Sequence, residues 1–170
     1  MSHYESPEYQ VIFKEDAFEL REYYDFYIIE YENPSDPDLD RGFGTLFRYI
    51  SSDNVENEKI SMTIPVIKEV TEWGQKMAFV VPREKWERIP TPKDARLKVQ
   101  KFEHGLFATL TYSGNSSPRK EEAQMNVLEK WVHQKNYTIK SNFMVAIYNG
   151  PYVPPFFRHN EVMVRVAVSE

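Results

Sequence analysis

With 170 residues, 21 Lys and Arg against 26 Asp and Glu, and no cysteine, the chain is sized for one domain with its own core. The missing thiols exclude disulfides, thiolate nucleophiles and cysteine-held zinc or iron–sulfur clusters. A net charge of −5 lacks the broad positive field that a phosphate backbone selects, so no nucleic-acid partner is expected. No apolar run reaches membrane-span length and the start MSHYESPEYQ has no apolar signal core, which leads to the expectation of a soluble cytoplasmic protein.

In chain order, Tyr9 to Phe13 reads as a first strand. Phe18 to Tyr23 alternates apolar and polar residues with period two, and Phe26 to Tyr31 is rich in aromatic and β-branched residues, so both read as strands. Asp36 and Pro37 look like the cap and first position of a helix, with Leu39, Phe43, Leu46 and Ile50 as its buried stripe. Ile60 to Val70 reads as a strand that Pro65 confines to an edge or a bulge. Trp73-Gly74-Gln75 turns the chain into a strand from Lys76 to Val81. Arg96 to Phe102 and Leu106 to Tyr112 form a pair around His104-Gly105. Ser117 and Pro118 open a second helix with Met125, Leu128 and Trp131 or Val132 inward. Asn142 to Tyr148 and Glu161 to Val168 close the chain as strands joined by a ring- and proline-rich loop.

The order strand, strand, helix, strand, strand occurs from about residue 18 to 82 and again from about 96 to 168. That repeat predicts one α+β domain over residues 1–170, built from two pseudo-symmetric halves, with an antiparallel sheet curled toward a barrel.

No constellation for catalysis is visible. His3, His104, His133 and His159 are too scattered for a metal motif, the glycines form no phosphate loop, and Ser113 lacks a nucleophile pattern. A non-enzymatic protein is therefore expected, with no metal site. Glu161 opens an apolar strand and, if it points inward, needs either an ion-pair partner such as Arg21 or Arg158 or a cationic ligand. Met62, a flexible and polarizable side chain, is either core or the lining of an alternative cleft with Glu161. Arg41 and Arg48 on the first helix are either a solvated face or a basic rim for an anionic amphiphile.

Four blocks of sequence resemble the SOUL haem-binding family: Phe18-Glu-Leu-Arg-Glu-Tyr23, the stretch from Gly42 to Ile50 followed by Asn54, Lys59 to Val66, and Tyr148-Asn149 through Pro151 with Arg158 to Val162. The resemblance implies a distorted antiparallel β-barrel with two α-helices, similar to bacterial effector-binding domains. It implies non-covalent haem or another tetrapyrrole as the ligand, with no obligatory axial histidine. By position it assigns Phe43, Phe47 and Arg48 on the first helix, with Tyr152 and Val153 in the last loop, to ligand contact. The reading left open beside it is a binding or sensing module for other hydrophobic or cationic small molecules near Glu161.

Overall fold

The computed structural model describes residues 4–149 and 153–169. Contacts divide the chain into two units. One contains residues 4–7 and Asp25–Glu103, and the other contains Glu8–Tyr24 and residues 104–169. Each is an antiparallel sheet carrying one helix, so the class is α+β as expected.

In the first unit β3 (Phe26–Glu32) is the hub. It pairs with β5 (Gly74–Val80) on one side and β6 (Leu97–Phe102) on the other, while β4 (Val66–Thr71) pairs with β5. Helix α1 (Gly42–Ile50) packs on β3 and β5 and contributes Leu46, Tyr49 and Ile50 to a core with Ile29, Tyr31, Met77, Phe79 and Leu97. The helix begins five residues later than Pro37. Asp36 instead ties down the turn that precedes the helix, its carboxylate accepting from the N–H groups of Asp40 and Arg41, each at 2.9 Å. Its rotational phase also differs from the expected stripe. A Cβ on Gly42 would lie 3.2 Å from the Tyr31 ring, so this residue faces the sheet and draws Thr45, Leu46, Tyr49 and Ile50 inward. Phe43, expected in the buried stripe, instead faces solvent.

The expected strand from Ile60 starts only at Val66, because residues 60–65 run irregularly into Pro65, which has no N–H for a ladder. Thr63 anchors that stretch by donating its hydroxyl to the Val80 carbonyl at 2.6 Å.

In the second unit the pairing order is β1 (Tyr9–Glu15), β2 (Phe18–Tyr23), β7 (Gly105–Tyr112), β10 (Asn160–Val168) and β9 (Met144–Ile147). A short strand missed in the sequence, β8 (Tyr137–Ile139), pairs with the far end of β10. β2, which opened the first repeat in the sequence reading, thus hydrogen-bonds within this second unit. Helix α2 (Pro118–Gln134) starts where expected: the Ser117 hydroxyl accepts from the Lys120 N–H at 3.2 Å and Pro118 follows. Leu128, Trp131 and Val132 bury against Leu20, Leu110, Val145, Val162 and Val164, and the Phe18 ring stacks on Trp131 at 4.9 Å.

The phase of α1 is testable by truncation on its two faces. Leu46→Ala removes a fully buried side chain and is expected to lower unfolding stability by about 2–5 kcal/mol. Phe47→Ala, on the exposed face, is expected to change it by less than about 1 kcal/mol in the same urea titration.

Candidate functional site

Three groups of residues carry chemical potential, and each is described within its own unit. On α1 the outward face presents Phe43 and Phe47, 48% and 49% exposed, with ring centroids 6.1 Å apart and planes within 16°. Residues four apart on a helix share a face, so the rings form one continuous apolar strip. Phe43 is braced from below by the edge of Phe79 at 5.4 Å. Between the rings, Gly44 adds no side chain, and a Cβ there would have only the Arg48 Nη1 within reach, at 3.8 Å. The Arg48 guanidinium therefore folds back along the same face, with Nη2 at 3.4 Å from the Thr45 hydroxyl. An apolar strip edged by one guanidinium can accept a flat ligand that bears a carboxylate.

In the loop before β10, Tyr152 lies outside the described residues. Val153 is half-buried, and its carbonyl accepts from Arg158 Nε at 2.7 Å. Phe156 and Phe157 in the same loop are 91% and 76% exposed. The loop is closed at its base by the Asn149 side chain, whose Oδ1 accepts from the His159 N–H at 2.6 Å.

Glu161 on β10 is 1% exposed and engaged on both oxygens. Arg21 on β2 grips it bidentately, Nη1 to Oε1 at 2.8 Å and Nη2 to Oε2 at 2.7 Å. Tyr148 donates its hydroxyl to Oε1 at 3.2 Å, and His159 Nε2 lies 2.8 Å from Oε2. The same guanidinium donates to Glu19 at 2.6 Å and to the Tyr23 hydroxyl at 2.9 Å, and the Tyr9 ring covers it at 4.3 Å. Burial pushes the Glu161 carboxyl upward, but the hydrogen bonds from His159 and Arg21 and the Arg21 charge outweigh it and hold it down at about 2. Burial also drives the hydroxyls up, Tyr23 to about 12 and Tyr148 well above its ordinary value.

A cavity of about 380 Å³ opens beside this cluster, lined by Tyr9, Lys14, Asp16, Glu19, Arg21, Thr111, His159 and Glu161 among others. Of the two sequence alternatives for Glu161, the structure shows the ion pair with Arg21. Met62 belongs to the first unit, where it packs half-buried against the core around Leu46 and Phe79. Sequence reasoning missed Tyr9, Tyr23 and Tyr148 around the ion pair. Period-two spacing from Arg21 to Tyr23 was the available signal for one of them.

Among the described residues, no group of three or more His, Asp or Glu side chains is arranged to hold a metal ion. No helix in them is long and apolar enough to cross a membrane.

The sequence pattern of the SOUL heme-binding protein family matches residues 4–165. The chain belongs to this family. No curated protein sequence matches it. Solved structures extend the likeness at the level of fold. The C-terminal domain of EcmrR gives a TM-score of 0.62 at 12% identity, over 95% of this chain and 99% of that one. EcmrR in complex with DNA gives 0.65 at 11% identity, over 89% of this chain and 57% of that one. A hydrolase from Listeria innocua gives 0.61 at 11% identity, over 88% of this chain and 91% of that one. SOUL membership places the chain in a haem-binding class, whereas these structural likenesses, all at low identity, are of architecture alone.

Removing one member of a buried ion pair strands the other. Glu161→Ala is expected to cost about 3–5 kcal/mol in denaturant unfolding, and Arg21→Met combined with Glu161→Leu less than that single change. Because the Glu161 pKa is depressed in the folded state, its contribution is complete above the ordinary value of 4.5 and is lost as pH falls toward about 2. Unfolding midpoints measured across that window should fall more steeply for the wild type than for the double variant.

Proposed function

We propose that this SOUL protein is a non-enzymatic carrier or sensor of a tetrapyrrole held without covalent attachment. The observation that supports this best is the outward face of α1, where Phe43 and Phe47 stack in solvent beside Arg48. Two half-exposed rings on a nine-residue helix forgo burial that the core could have used, and a flat apolar ligand would restore it. A haem brings an apolar disc and two carboxylates. Phe43 and Phe47 would supply contact to the disc, and Arg48 would meet one carboxylate. Tyr152 and Val153 are assigned to ligand contact by the family resemblance alone. When bound, the group would supply the ligand's own redox and optical properties, while the protein supplies apolar contact and charge.

Ferric haem titrated into the purified protein should give a saturable Soret shift. Arg48→Glu should weaken the apparent affinity at least about tenfold, and Phe43→Ala with Phe47→Ala more than that. A linear, unsaturable titration with wild-type protein, or equal affinity in all three proteins, would remove α1 from the site.

A second reading is favoured by the cavity of about 380 Å³ beside Glu161. It takes a small hydrophobic or cationic molecule. Since Glu161 already holds Arg21, a cation would have to compete for that carboxylate. Hydrophobic cations that raise the melting temperature of wild type but not of Glu161→Gln would favour this reading; equal stabilisation would set Glu161 aside.

A further inference from the structure

A second concavity lies in the first unit, at the tip of the β4–β5 hairpin. Thr71 pairs with Gly74, which leaves Glu72 and Trp73 as the two turn residues, and Trp73 is 85% exposed. The tip is held against the loop that follows β3. A Cβ on Gly74 would lie 3.2 Å from Pro37 Cβ and 3.3 Å from Pro37 Cα, so a side chain there would crowd the proline. Gln75 Nε2 reaches the Pro37 carbonyl at 3.4 Å. The contact frames an open concavity of about 210 Å³ lined by Pro34, Pro37, Trp73 and Thr71, with Glu32 and Asn33 at its side. That volume is below the usual range for drug-sized ligands and suits a compact group.

The chemistry of the lining is selective. The prolines have no N–H to donate, and both ends of the Asn33 amide are engaged, Oδ1 by the Ser35 N–H at 3.0 Å and Nδ2 on the Tyr31 hydroxyl at 3.1 Å. The side-chain donors of the lining come from Thr71, Gln75 and the indole N–H of Trp73. The surrounding field is negative. Cross-strand register places Glu32 and Glu69 on either side of Lys76, whose ammonium is 3.7 Å from Glu30, and Glu72 sits in the turn. The Glu30 carboxyl is raised first by burial, and then by the nearby charges of Glu69 and Glu32 against the opposing pull of Lys76. An exposed indole presents a negative π face, so apolar walls, an indole and a carboxylate converge on one kind of guest.

We propose that this pocket binds a compact alkylated ammonium ion, with its charge over the Trp73 indole and beside the Glu32 carboxylate. The site is separate from the α1 face and stands whether or not a tetrapyrrole binds there.

The test is an NMR titration of the full chain, following the Trp73 indole N–H with choline and with 3,3-dimethylbutan-1-ol, its uncharged isostere. Choline is expected to give a saturable shift. The isostere, and choline with Glu32→Gln, should bind at least about tenfold more weakly. Trp73→Ala should abolish choline binding as read by calorimetry, while Phe47→Ala leaves it unchanged. Several outcomes overturn the proposal: equal binding of choline and isostere, an equal shift with sodium chloride, or no saturation up to about 50 mM choline. Retention on phosphatidylcholine vesicles without a response to free choline would also overturn it. Trp73→Ala and Glu32→Gln alter exposed side chains, and unchanged thermal unfolding confirms that both variants are folded.

Discussion

Arg21 and Glu161 leave water together, and the second unit is organised around that transfer. They sit on β2 and β10, which flank β7 and each pair with it. The register puts Arg21 opposite Phe107 and Glu161 opposite Thr111, so the pair reaches diagonally past Thr109, whose buried hydroxyl has no hydrogen-bond partner among the described residues. Such a pair is stable only where every remaining donor and acceptor is met, because the desolvation penalty of each ion is large. Glu19, Tyr23, Tyr148 and His159 meet that requirement. A one-residue slip of β2 against β7 would turn Arg21 to the face that carries Leu20 and Val164, which makes the ion pair a strict register mark.

In the first unit the corresponding constraint is steric. Gly42 lies against Tyr31, and this single close approach sets which residues of α1 face the sheet. Once Leu46, Tyr49 and Ile50 are inward, Phe43, Gly44, Phe47 and Arg48 must be outward. The apolar strip that suits a flat ligand is thus a by-product of how the helix is seated. The same logic operates at Gly74, where contact with Pro37 shapes the pocket under Trp73.

Most strands and the second helix were legible because their signals are local. Period two in Phe18 to Tyr23, and Ser117 followed by Pro118, act within a few residues. The start of α1 was not legible, because Asp36 uses its carboxylate on amides four and five residues ahead while Leu39 adopts a φ of 61° between them. β8 has three residues and exists only because β10 offers an edge, so nothing in Tyr137-Thr-Ile marks it. At the candidate sites, the Arg21–Glu161 alternative could be posed because both residues interrupt apolar strands. The exposure of Phe43 could not, since four-residue spacing fits a buried and an exposed stripe equally well. The pocket at Trp73 requires knowing that the hairpin tip lands on Pro37, a contact between segments 37 residues apart.

The two charges of the ion pair are 140 residues apart in sequence, and the Asp25–Glu103 segment of the first unit is interposed. During synthesis, the first unit emerges complete while Arg21 still lacks its carboxylate and β2 lacks β7. The second unit is then completed by strands made after that insertion, a late and long-range step whose slowness follows from loop-closure entropy. For that interval the guanidinium stays hydrated, and β2 is paired on its β1 edge while the edge that will meet β7 stays open. That open edge is the general liability of any strand whose neighbour has yet to be made, and the arrival of β7 closes it.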